Sequence, residues 1–152
     1  MKTSIRATIA LAVLASGAAA AQPNALTPQM KAAIARWELL RANPDARLSI
    51  DPKTLKTRGD ESTFKYLVDY RKSQGEVGGQ YRSVVVGAKL QCKERRIALD
   101  SYEIYSGSTG TGVLLAQRPA SEAEKRFQPI EKGSSDQELY QRVCAKGTPA
   151  AK

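Results

Sequence analysis

The chain has 152 residues, a formal net charge of +9, two cysteines and no histidine. The missing histidine removes the usual general base, the commonest metal ligand and every Ser-His-Asp arrangement, so no enzyme is expected. Two cysteines fall short of a complete structural zinc set, and neither a metal nor a cofactor is expected.

At the start, Lys2 and Arg6 precede the apolar run Ala7–Leu14 and the small-residue tract Ser16–Gln22. That order reads as a secretory signal peptide over residues 1–21, cleaved after Ala21. The apolar run is too short for a transmembrane helix, which needs about 20 such residues. The tract LASGA lacks the cysteine of a lipoprotein-type LASGC, so the expectation is an exported chain, periplasmic or secreted, without a lipid anchor. Losing Lys2 and Arg6 leaves a charge of +7 on about 131 residues, enough for one domain. Such a balance suits anionic partners, while export argues against nucleic acid.

Residues 22–35 form a lead-in. Thr27-Pro28 resembles a helix start, and Met30, Ala33, Ile34, Trp37 and Leu40 keep a helical period. The alternation Trp37-Glu38-Leu39 competes with it and leads into the turn signature Asn43-Pro44-Asp45. The expectation is a short helix or irregular turn, then a strand from about Arg36 to Arg41.

Arg47–Ile50 alternates as a short strand closed by Asp51-Pro52. In the next strand, Ser62–Lys72, the residues Phe64, Tyr66, Val68 and Tyr70 share one parity, and charged Lys65, Asp69 and Arg71 imply a wet opposite face. Only Leu67 breaks the pattern. Ser73–Gln80 is a glycine-rich connection; Gly75, Gly78 and Gly79 lack the GKS/T ending and following helix of a phosphate loop. Tyr81–Lys93 is the longest strand, with Val84, Val86, Ala88, Leu90 and Cys92 on the buried side. Gly87 marks a bulge or the close passage of another backbone. Arg96–Tyr105 returns, GSTGTG makes a flexible reversal, Val113–Ala116 is a last short strand, and Ser121–Arg126 holds one helical turn.

Ser135 with Glu138 makes a capping box for a helix through Cys144, with Leu139 and Val143 on one stripe. A helix this short is marginal alone and must lie on something. An even cysteine count behind a signal peptide favours a disulfide, here Cys92 to Cys144, pinning the helix to the sheet. The fold class is α+β: an antiparallel sheet of about six strands with a C-terminal helix packed on one face and tied by a disulfide. The domain is expected over 36–146, with a disordered tail at 147–152.

Scattered acids such as Asp51, Asp60 and Glu61 mark no catalytic pair. The surface feature that stands out is basic: Lys89, Lys93, Arg95 and Arg96, with Lys65 and Arg71 on the neighbouring strand, as ligand-binding candidates. By parity Lys89 and Lys93 lie opposite Cys92. Such a face would dock an acidic protein segment, a glycosaminoglycan or an anionic envelope polymer.

The residues also carry a resemblance. Trp37, Leu48-Ser49-Ile50-Asp51, Tyr81-Arg82-Ser83, Leu90-Gln91-Cys92, Phe127-Gln128-Pro129-Ile130, Gly133-Ser134-Ser135 and the run Leu139-Tyr140 to Val143-Cys144 follow in order along most of the mature chain. This pattern resembles the surface-adhesin protein E family of small secreted bacterial domains. The resemblance implies a roughly six-stranded antiparallel sheet with a disulfide-tied C-terminal helix, and a non-catalytic module binding extracellular-matrix or plasma proteins. The alternative is a periplasmic structural or accessory protein of the cell envelope with no adhesive role. The oligomeric state is not implied.

Overall fold

The computed structural model describes residues 27–75 and 79–145. The signal peptide, the start of the lead-in and the 147–152 tail lie outside them. Helix α1 spans Pro28–Ala35, strands β1 Glu38–Ala42, β2 Ala46–Arg58, β3 Glu61–Gln74, β4 Tyr81–Gln91, β5 Arg96–Tyr105, β6 Leu114–Pro119 and β7 Gln128–Pro129, and helix α2 Ser135–Cys144. The strands pair antiparallel in sequence order from β1 to β6, and β7 adds to the free end of β5. The α+β architecture expected from the alternation is the one found.

Local chemistry sets these boundaries. Thr27 caps α1 by accepting from the Met30 amide, and Pro28 fills the first turn, where its missing N–H costs nothing. The competing strand reading is therefore right only from Glu38 onward. The Asn43 side chain accepts from the amides of Asp45 and Ala46, closing the β1–β2 turn. Gly87 sits where β5 bulges, and a Cβ there would meet the Ser101 hydroxyl at 2.6 Å. Strand β2 does not stop at Asp51-Pro52. Its register to β3 breaks between Asp51 and Lys56 and then resumes.

The main core lies between α2 and the face carrying Ile50, Phe64, Tyr66, Val86, Ala88 and Leu90. Leu139 is fully buried and Val143 nearly so. Burying a side chain of that size contributes about 1.5–3 kcal/mol, which a helix this short needs. The Cys92–Cys144 disulfide fixes its far end across a sequence separation of 52. A loop of that length corresponds to about 4 kcal/mol in the chain-entropy account. On its other flank Arg142 donates to both carboxylate oxygens of Glu38, each at 2.6 Å, and locks α2 to the edge strand β1.

Two further expectations change. The opposite sheet face is not wholly wet: Leu67, Val85 and Ala98 are buried there, with Ser49, Asp51, Asp69 and Ser83. Leu67, which breaks the alternation, is a core residue of this second layer. The helix cap is Ser134 and not Ser135, because the Ser134 hydroxyl accepts from the Gln137 amide at 3.2 Å. The Gln137 side chain accepts in turn from the Gly133 amide, so Gln137 takes the role assigned to Glu138.

After β6 the chain turns through Ser121–Lys125, where Ser121 and Glu124 exchange backbone and side-chain hydrogen bonds. Glu124 also accepts from the Tyr102 hydroxyl at 2.6 Å. That bond, followed by those from Ser121, holds the Glu124 carboxyl down at about 2. Burial, then the same bond to Glu124, pushes the Tyr102 hydroxyl up to about 12.

Two measurements check this account. Ser134→Ala should lower stability by about 1 kcal/mol in chemical denaturation, and Ser135→Ala should stay within about 0.5 kcal/mol of the unaltered chain. The stability contributed by ionised Glu124 is present above the ordinary carboxylate range and lost as pH falls toward its folded value of about 2. Tyr102→Phe should therefore lower the melting temperature at neutral pH, and the deficit should shrink over that acid window.

Candidate functional site

The face opposite α2 carries a cleft of about 380 Å³ at the end of the sheet where β2 kinks. Pro52 has no amide hydrogen and interrupts the ladder to β3. Thr54 takes over part of its work: its hydroxyl donates to the Asp51 carbonyl and accepts from the Lys65 amide, both at 2.8 Å. Asp51 accepts from the Lys53 amide at 3.0 Å and forms an ion pair with Arg36. The kink brings Lys53 and Lys56 beside Lys65 of β3 and Lys89 of β4, over a floor that includes Gly87 and Ser101.

The lysines differ in freedom. Lys65 donates to Glu103 at 2.7 Å, and Glu103 also accepts from the Tyr105 hydroxyl at 2.8 Å. Burial opposes ionisation of Glu103, but the bonds from Lys65 and Tyr105 outweigh it and hold its carboxyl below the ordinary range. Lys89 reaches Asp100 only at 3.9 Å between exposed side chains, a weak pairing. Among the described residues no carboxylate lies within ion-pair distance of Lys53 or Lys56. The cleft therefore keeps an excess of positive charge.

Of the six basic residues singled out in the sequence, only Lys65 and Lys89 line this cleft. Arg71 lies at the other end of the same face, its Nε bonded to the Asn43 carbonyl at 3.1 Å. Lys93 is in the turn after β4, beside the disulfide and Tyr140, so strand parity no longer governs it. Arg95 occupies a left-handed backbone position at φ 53° and lays its guanidinium 5.0 Å from the Tyr140 ring centre, on the helix side. Arg96 approaches Glu94 at 3.6 Å. Lys53 and Lys56 were missed because period-two reading fails across a register break; Pro52 was the available signal.

The far end of this face is built by the segment after β5. GSTGTG is an ordered 3₁₀ turn at Ser108–Gly110 folded back on the sheet, and not a flexible reversal. The fully buried Ser83 hydroxyl donates to the Gly107 carbonyl at 2.6 Å and accepts from the Gly110 amide at 3.0 Å. Asp69 accepts from the Thr109 amide, and the Trp37 indole donates to the Thr109 carbonyl at 3.1 Å. Gly110 passes so close that a Cβ would lie 3.3 Å from Val85, at a φ of +69°.

Among the described residues there is no group of side chains able to hold a metal ion, and no helix is long and apolar enough to cross a membrane. An antiparallel meander with a disulfide-tethered terminal helix, bearing its open charged surface on the other side, is the architecture of a small adhesin-type sheet domain. The chain belongs to the Surface-adhesin protein E family, whose profile matches residues 37–145. This is a family of surface proteins, and adhesins are a non-enzymatic kind of protein. Among solved structures the chain is similar to Haemophilus influenzae protein E, at 17% identity and a TM-score of 0.56 over 83% of this chain and 91% of that one. A second crystal form of that protein gives 15% identity and a TM-score of 0.54 over 70% of this chain and 92% of that one. At these identities the likeness establishes the shared fold. No curated protein matches the chain significantly.

The buried anchor of the 3₁₀ turn is open to test. Ser83→Ala removes one hydroxyl and orphans both of its partners, so stability should fall by about 1–3 kcal/mol. Amide exchange at Gly110 should accelerate more than exchange along β3 or β4, as hydrogen-exchange mass spectrometry or NMR would read.

Proposed function

We propose that this protein is a non-catalytic exported binding module that engages anionic groups on protein or polymer partners through the lysine cleft. The observation that supports the reading is the concentration of Lys53, Lys56, Lys65 and Lys89 around one concavity, with only Lys65 closely paired. Family membership supplies the kind of protein, a surface adhesin, and the host-protein class of partner that goes with it. The signal peptide read at residues 1–21 supplies the route of export. Lys93 and Arg95, both beside Tyr140, form a separate basic rim that steers partners by charge more than by shape, and Arg96 adds to the same long-range charge.

The test has two arms. Protease shaving of intact cells against periplasmic fractionation distinguishes display from retention; protection from protease until the outer envelope is opened would favour the accessory role. For binding, immobilised heparin and extracellular-matrix extracts serve as probes in surface plasmon resonance. Lys56→Glu/Lys89→Glu should slow association about tenfold with a smaller change in dissociation, because exposed charges chiefly govern encounter. Binding should also weaken steeply between about 50 and 200 mM salt. Salt-insensitive binding that ignores the double reversal would remove the cleft from the function.

A further inference from the structure

The other end of the same face holds a groove of about 590 Å³ between α1 and the 3₁₀ turn. Three arginines line it: Arg47 of β2, Arg71 of β3 and Arg82 of β4. Two are held through a single nitrogen. Arg71 Nε donates to the Asn43 carbonyl at 3.1 Å, and Arg82 Nε donates to the Tyr70 carbonyl at 3.0 Å. A guanidinium anchored at Nε keeps its two terminal nitrogens as a planar fork, the geometry that grips a carboxylate with two parallel bonds. Among the described residues none of the three pairs with a carboxylate. Asp69, also in the lining, is turned to the Thr109 amide.

The opposite wall is apolar. Helix α1 has no buried residue, and its Met30 and Ile34 line the groove while remaining 47% and 46% exposed. Tyr70, stacked edge-on against Tyr81, is also among the lining residues. An eight-residue helix that buries nothing contributes little to the stability of the domain.

We infer that this groove docks an acidic peptide segment that carries an apolar side chain. The arginine forks take its carboxylates, and Met30 and Ile34 take the apolar residue beside them. A free inorganic anion or a sulfated polysaccharide would use the arginines and leave the apolar wall in water. Guanidinium forks grip phosphate and carboxylate alike, so it is the apolar wall that separates the peptide from such anions. This site is independent of the lysine cleft and stands if that reading fails.

Fluorescence anisotropy on the full exported chain tests it, with a labelled short peptide alternating aspartate and leucine. Comparison peptides carry serine for leucine, or lysine for aspartate. The aspartate–leucine peptide should bind, with affinity falling about tenfold in Arg47→Lys/Arg71→Lys, which keeps charge and loses the forks. Ile34→Ser, an exposed position with little bearing on folding, should weaken the leucine peptide several-fold and leave the weaker serine peptide unchanged. Lys56→Glu/Lys89→Glu should bind the leucine peptide within about twofold of the unaltered chain, which separates the groove from the cleft. Equal affinity for the leucine and serine peptides, full competition by inorganic phosphate, or indifference to the double arginine change would each overturn the inference.

Discussion

Everything on both sides of the sheet depends on α2 being held where it is. Ten residues of helix cannot persist in water unaided, and this one is held from three directions. Leu139 and Val143 bury an apolar stripe, the Cys92–Cys144 bond fixes the C-terminal end, and Arg142 clamps the edge strand through Glu38. With that face sealed, the sheet can devote its other face to polar and charged chemistry. Removing the seal would expose the row from Ile50 to Leu90.

The second face is a compromise between burial and display. Its middle is closed by Trp37, the 3₁₀ turn and a few small or aliphatic residues, and among the described residues its buried side-chain nitrogen and oxygen atoms all have partners. Ser83 and Asp69 hold the turn down from below, and Asp51 ties the α1–β1 junction through Arg36. Satisfied buried polar groups fix geometry more tightly than an apolar patch would. What remains open lies at the two ends, one edged by lysines and the other by arginines.

Much of the fold was legible because one face is buried: the alternation along β3 and β4 and the stripe on α2 are direct consequences of that burial. An even cysteine count behind a signal peptide pointed to the disulfide, and Cys92, one residue beyond β4, packs against the same core as Leu90. The site was less legible. Lys65 and Lys89 stay in register and were found together. Lys53 and Lys56 follow a break at Pro52, and Lys93 and Arg95 follow the end of β4, where alternation carries no information. The ordered GSTGTG segment was missed because its anchors, Asp69, Ser83 and Trp37, are distant in sequence and look like ordinary solvated or turn-flanking residues. Ser134 and Ser135 are chemically alike as caps, and only the start of the helix chooses between them.

The pairing order has a consequence for how the domain is completed during synthesis. Each strand from β1 to β6 joins the one made just before it, so most of the sheet assembles from near neighbours as the polypeptide lengthens. The closing contacts are the reverse. Glu38 meets Arg142 across 104 positions, and Cys92 meets Cys144 across 52. Until the final residues of α2 emerge, the row from Ile50 to Leu90 has no cover and the thiol of Cys92 has no mate. Completion is thus gated by the carboxyl end, and a prematurely terminated chain would present a greasy, unlatched sheet to chaperones and proteases instead of a finished adhesin.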